Sequence, residues 1–275
     1  MNYGFVLPGG TARTAADYAR EAENAGWDGF FVWEAPWSTD AWVSLAAAAM
    51  VTERIRLGTM LTALSRMRPW KLASETATLD DLSGGRVVLS VGLGAPDTGF
   101  AEFGEVTDRR VRAELLDEGL DILTGLWQGQ PFRYEGKHYQ IEPVSFYATP
   151  PPLVQKPRIP IWVVGAWPRP RSMLRAMRYD GLLPAVMDKE QVRMGAATPA
   201  EIAAIKTYVD ERREQSGPFD IVVEGTTPGD DPDKWRELVQ PYAEAGATWW
   251  IEAQWTAPDQ ESVLERVRQG PPRVD

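Results

Sequence analysis

Eight short runs of apolar, β-branched or aromatic residues recur along this chain, and a helical pattern follows each of them. The runs are Tyr3–Leu7, Gly29–Trp33, Ile55–Leu61, Val87–Val91, Ile159–Val164, Gly181–Ala185, Ile221–Glu224 and Thr248–Glu252. Such runs read as buried strands, and their regular alternation with helices through short links predicts a parallel sheet. Eight repeats favour closure into a (β/α)8 TIM barrel; the rival doubly wound sheet more often stops at fewer strands. At 275 residues the chain has the length of one such barrel, so a single domain over 1–275 is expected.

Helix boundaries are legible in the punctuation. Thr14 is expected to open the first helix and Gly26 to close it, while Pro69 starts the third and Ser83-Gly84-Gly85 ends it. Thr198-Pro199-Ala200-Glu201 has the form of a capping box. Pro232 and Gly246 bracket the seventh helix, Pro258 and Gly270 the eighth. The rhythm breaks once, in an irregular insertion between strands 4 and 5. After an amphipathic helix over 109–127 comes a Pro- and aromatic-rich stretch too long for an ordinary connection. It reads as a short hairpin and an extended segment on the barrel's exterior or rim.

Charge and composition remove several functions. The net charge is −10 with no cluster of Lys and Arg, which argues against a nucleic-acid surface. There is no cysteine and one histidine, so thiolate chemistry and cysteine-based metal sites are excluded and no metal centre is expected. No apolar stretch is long enough for a membrane span, and the first residues lack the form of a secretory leader. A cytoplasmic protein is expected.

Three acids stand where an apolar run gives way to a loop: Glu34, Glu224 and Glu252. At the C-terminal ends of barrel strands they could meet a ligand or pair with arginines of the rim. Twelve tryptophans are unusual; most read as core and helix–barrel packing, while Trp33, Trp37, Trp167 and Trp255 fall at or beyond strand ends, where they could line a pocket for a flat ligand. Gly92-Leu93-Gly94 closes the fourth strand, as a barrel corner or as a place where a planar ring approaches the backbone. Gly165-Ala166-Trp167-Pro168-Arg169-Pro170-Arg171 leads into a helix and could hold an anion, or be a solvated loop. His138 lies in the irregular segment, where a structural role is the better reading.

The phrases AENAGWDGFFVWE (22–34), ERIRLGTMLTALSRMRPWKLASETATLDDLSGGRVVLSVGLG (53–94), YEGKHYQI (134–141), KPRIPIWVVGAWPRP (156–170) and AGATWWIE (245–252) resemble the bacterial-luciferase-like flavin-dependent oxidoreductases. That family includes FMN monooxygenases and enzymes using the deazaflavin coenzyme F420. The resemblance implies a flavin at the C-terminal end of the strands and a non-proline cis peptide beneath its ring, at Thr59-Met60. It further implies that Gly92, Leu93 and Gly94 lie beside the ring, with Gly165, Ala166, Trp167, Arg169 and Arg171 receiving the cofactor phosphate. Glu34 and Glu224, the catalytic candidates, would orient the substrate or the ring edge, and Trp33, Trp37, Glu252 and Trp255 would contact substrate.

The activity implied is oxidation of a small organic substrate with reduced FMN and oxygen, the flavin supplied by a partner reductase; the alternative is F420-dependent hydride transfer. A homodimer is usual among such proteins. Two departures stand out. Many deazaflavin-dependent relatives have Asp-His after the second strand, where this chain has Glu34-Ala35, and Ala95 replaces an acid after the second glycine of the turn. Two readings of another class are a non-catalytic flavin-binding protein and a carboxylate glycosidase using two of the glutamates.

Overall fold

Alternate residues of a strand face opposite sides of a sheet, and here each side is buried. In the computed structural model, which describes residues 1–145 and 148–274, eight parallel strands form a closed ring. They are Asn2–Leu7, Gly29–Val32, Arg56–Thr59, Val87–Gly92, Ile161–Trp167, Gly181–Asp188, Asp220–Gly225 and Trp249–Ala253, called here the first to eighth barrel strands. Each pairs with the next in sequence, and Asn2 opposite Trp249 joins the eighth to the first. The expected (β/α)8 barrel is therefore present, with eight α-helices among the described residues: α1 (Ala12–Asn24), α2 (Ala41–Ala49), α3 (Pro69–Ser83), α4 (Arg109–Gln128), α5 (Pro170–Met177), α6 (Pro199–Arg212), α7 (Pro232–Glu244) and α8 (Gln260–Arg268). Residues 146, 147 and 275, which belong to the expected rim segment and to the 1–275 domain, lie outside the described residues.

The helix ends follow local chemistry. The Thr198 hydroxyl accepts from the Glu201 amide and the Glu201 carboxylate reaches back to the Thr198 amide, the reciprocal box read from sequence. Gly84 ends α3 at φ +65°, a left-handed turn that suits glycine. One boundary moves: α1 is capped by Thr11, whose hydroxyl accepts from the Thr14 amide, so the helix starts a turn earlier than Thr14 suggested.

The core has two shells. Leu57, Leu89, Val163, Ile221 and Trp250 pack outward against the helices, while Val6, Phe31, Val88, Trp162, Val222, Trp249 and Ile251 fill the barrel. Phe31, Trp162 and Trp249 meet with ring centroids 5.1–6.2 Å apart, and the Trp162 indole donates to Asp220 at 3.0 Å. The rings fit because glycine faces them. A Cβ on Gly181 would lie 2.3 Å from Trp162, and one on Gly4 would lie 2.8 Å from Phe31.

The insertion contains the expected hairpin, Phe132–Glu135 against Gln140–Val144. It is tied to α4 by Glu118, which accepts from the amides of Lys137, His138 and Tyr139 at 2.8–3.1 Å. His138 bonds Glu114 at 2.9 Å, the structural role expected of it. Lys137 first and His138 second hold the Glu114 carboxyl down at about 2. Beyond the hairpin, buried Asp80 of α3 accepts from the amides of Val154 and Gln155 and fastens the return to the fifth strand. Among the described residues no helix is long and apolar enough to cross a membrane.

The aromatic plug predicts a large penalty for removing one ring. Trp162→Ala should lower unfolding free energy by about 3–5 kcal/mol in urea titrations, the range for an aromatic-to-alanine core deletion. A loss below about 1 kcal/mol would mean that the base is loosely filled.

Candidate active site

Above the plug the side chains shrink and the barrel opens. A cavity of about 480 Å³ lies at the C-terminal ends of the third and fifth to eighth strands, walled by Met60, Leu61, Val164, Leu183, Pro184, Ala185, Val222, Ala253 and Trp255. Among the described residues, Glu224 is the one ionisable residue in its lining. Two residues on from inward-facing Val222, it shares that orientation. Trp255 Nε1 donates to Glu224 Oε1 at 2.7 Å. Burial pushes the Glu224 carboxyl up, and the indole's hydrogen bond opposes that shift.

The other two strand-end acids face the opposite way. Glu252 follows outward-facing Trp250 and is fully buried between barrel and helices. Its carboxylate accepts from the Thr227 amide at 2.8 Å and hydroxyl at 2.7 Å, from Gln254 Nε2 at 2.7 Å and from Trp250 Nε1 at 3.2 Å, with Arg266 3.4 Å away. The substrate contact expected of Glu252 is thus corrected: it clasps the loop after the seventh strand to the loop after the eighth. Glu34 likewise shares the outward orientation of Val32 and pairs with Arg66 at 3.1 Å rather than lining the cavity. Burial pushes its carboxyl up against the pull of Arg66, and Glu34 Oε2 and Arg66 Nε are both buried without a hydrogen-bond partner. The structure does not bring Glu34 and Glu224 together in one cavity.

The backbone under the mouth departs from expectation by one residue. The non-proline cis peptide joins Met60 to Leu61, not Thr59 to Met60. Thr59 still pairs with Val32 in the strand ladder and the Met60 amide donates to the Val32 carbonyl at 2.8 Å, so the chain leaves the sheet only after Met60. Thr59 is buried, its hydroxyl accepting from Thr62 at 2.9 Å. Facing this bend, a Cβ on Gly92 would come 2.9 Å from Val164 and 3.2 Å from Leu61. Leu93 and Gly94 form the turn beyond, with Gly94 at φ +73°. Arg112 of α4 donates to both their carbonyls at 2.9 and 3.0 Å.

The loop expected to bind phosphate is partly committed elsewhere. The Ala166 amide donates to the Ser172 hydroxyl at 2.9 Å, and Arg169 pairs with Glu190 at 2.8 Å. Gly165 is explained by packing, since a Cβ there would lie 2.1 Å from Leu182. Trp167 points outward onto Tyr208, with centroids 5.5 Å apart, which corrects its expected place at the cofactor. Exposed Arg171 remains at the start of α5, a helix without a side-chain cap. Of the rim tryptophans, Trp33 donates to the Pro8 carbonyl at 2.6 Å and meets Trp255 edge-on at 6.4 Å. Trp37 is 85% exposed and lies against Phe103, with centroids 6.5 Å apart, away from the cavity wall.

Sequence reasoning missed Arg112, Arg66, Thr227 and Gln254. Arg112 was detectable: it interrupts the apolar face that Leu116, Leu120 and Leu123 define on α4. Arg66 and Thr227 have no signal of their own, because their partners Glu34 and Glu252 come from different barrel units; Gln254 bonds Glu252 two residues before it, a contact fixed only by the turn that ends the eighth strand.

The family profile for luciferase-like monooxygenases matches residues 2–269, and the chain belongs to that family. An F420-dependent glucose-6-phosphate dehydrogenase of Microbacterium testaceum is 31% identical over 161 residues, covering 55% of this chain and 46% of that protein. The chain spans about half the length of such curated relatives, or less. Among solved structures, the coenzyme F420 dependent tetrahydromethanopterin reductase of Methanopyrus kandleri superposes with TM-score 0.78 at 19% identity, over 98% of each chain. The oxygenating constituent of 3,6-diketocamphane monooxygenase from Pseudomonas putida, in complex with FMN, gives 0.74 at 17% identity, over 98% of this chain and 96% of that one. The family's members are flavin- or F420-dependent oxidoreductases, so an enzyme of that broad class fits this chain.

Two measurements check this geometry. A buried carboxyl with a raised native pKa binds its proton more tightly folded than unfolded. Its stabilising effect is complete below the ordinary glutamate range and fades as pH rises through the raised value. Glu224→Gln, which keeps an acceptor for Trp255, should therefore raise Tm by about 2–4 °C at neutral pH, with the gain vanishing toward acid. Breaking the Glu252 clasp should act oppositely: Arg266→Ala should cost about 3–5 kcal/mol in denaturant unfolding, because it strands a buried carboxylate. Equal stability of either variant and the wild type at neutral pH would contradict the corresponding placement.

Proposed function

We propose that this chain is an oxidoreductase acting on a small organic substrate, with a flavin-type ring held at the barrel mouth. The observation that carries this reading is the cavity itself, with apolar walls and one inward carboxyl at the C-terminal ends of the strands. A planar ring fits such a place, because small-molecule sites are mostly apolar clefts with a few convergent polar groups. Met60, Leu61, Gly92, Leu93 and Gly94 would hold the ring, and Arg171 with the uncapped start of α5 would receive its phosphate. Bound there, the ring supplies the two-electron chemistry that no side chain provides. Glu224 holds or accepts the proton at the substrate's oxygen, and the apolar wall with Trp255 limits water.

F420 is the cofactor favoured here, because several curated relatives at 30% identity or above are F420-dependent by name. Reduced FMN with oxygen, delivered by a partner reductase, is the second reading. It is favoured by Ala35 and Ala95, which stand where many deazaflavin-dependent relatives carry histidine and an acid.

Calorimetric titration with F420 and with FMN tests the reading. One-to-one binding of F420 at least about tenfold tighter than FMN is expected, and Arg171→Ala should weaken it by about tenfold through loss of one charged contact. The reverse order of affinities would support the FMN reading, and binding of neither would overturn both.

A further inference from the structure

The mouth cavity also constrains what kind of substrate it can accept. Among the described residues its lining offers no Lys, Arg or His, so an anionic substrate would enter a largely apolar space beside the Glu224 carboxyl. Leaving a charge unpaired there is costly, and a cation would meet a carboxyl whose neutral form burial favours, so it too lacks a full counter-charge. The hydroxyl in the lining, Thr226 Oγ1, already donates to the Ala253 carbonyl at 2.7 Å. Recognition of a polar group thus falls to Glu224 and to the indole that holds it.

Trp255 is poised between two restraints. Its ring edge meets Trp33, itself anchored on Pro8, and its Nε1–H is committed to Glu224. The segment carrying it is fixed from behind. Gln254 bonds Glu252, and Glu252 bonds Thr227, three residues beyond Glu224. The carboxyl and the indole are therefore set by one buried clasp, while Trp255 is still 45% exposed at the entrance. A hydroxyl entering the cavity can donate to the Glu224 carboxylate, and a carbonyl can accept from its protonated form, without that clasp being broken.

We propose that this mouth selects a small uncharged substrate, mostly apolar and carrying one hydroxyl or carbonyl, and that Trp255 is the positioning residue that presents Glu224 to it. The proposal rests on the oxidoreductase reading only in taking this cavity as the substrate's place.

The test is calorimetric binding of four matched probes, cyclohexanol, cyclohexanone, cyclohexylamine and cyclohexanecarboxylate. They are titrated into the full chain with and without bound coenzyme, across a pH series. Cyclohexanol and cyclohexanone should bind at least about tenfold more tightly than either charged probe at neutral pH. Trp255→Phe keeps the ring but removes its N–H. Because that donor lowers the carboxyl's pKa, the variant should move the pH midpoint of probe binding upward, while Glu224→Gln should abolish the pH dependence. A purely structural tryptophan would change affinity and leave the midpoint in place. Tightest binding by the amine or the carboxylate, or an unmoved midpoint in Trp255→Phe, overturns the proposal. Selective probe binding without any coenzyme affinity would uphold it while removing the oxidoreductase reading.

Discussion

The molecule depends on how its barrel is filled. Phe31, Trp162 and Trp249 occupy the N-terminal half so completely that glycine must face them, and their bulk stops there. Small or slender residues such as Ala185 and Ala253 follow at the other end. A barrel with close-packed aromatics throughout would have no site, and one with small residues throughout would lack a core. The asymmetry puts a hollow directly above a rigid floor. Polar groups placed at the rim are thereby held on strand ends rather than on long loops.

A second consequence concerns charge. The outer shell between barrel and helices takes two of the three strand-end acids, Glu34 against Arg66 and Glu252 into a network with Thr227, Gln254 and Arg266. Each partner there comes from the seventh or eighth strand, its following loop, or α8, so the network fixes two loops relative to each other. Glu224 is left alone on the inner side, with one indole for a partner. Isolation in an apolar cavity favours its neutral form, and a carboxyl poised between neutral and charged suits proton exchange with a bound substrate.

Much of this was legible in the sequence. The positions of all eight barrel strands agree with the apolar runs to within about two or three residues, because buried parallel strands are bounded by turn residues and capped helices. The three strand-end glutamates show where legibility stops. As a sequence pattern Glu34, Glu224 and Glu252 are equivalent, yet one faces the cavity and two face the helices. Alternation decides this, and it is readable only once the inner side of each strand is known. Val222-Val223-Glu224 and Trp250-Ile251-Glu252 are apolar on both faces, so no polar residue marks the outside. The one-residue displacement of the cis link, from Thr59-Met60 to Met60-Leu61, has the same origin: the strand's last ladder bond is a tertiary contact with Val32. Trp167 turned outward for want of the same information.

The most direct test of the central claim is a crystal structure of this chain grown with F420 and, separately, with FMN. Ring density is expected in the mouth cavity beside Met60 and Leu61, with the Glu224 carboxyl facing the space beside the ring. A ring bound away from the barrel mouth, or a Glu224 side chain turned out to the helices, would contradict that claim.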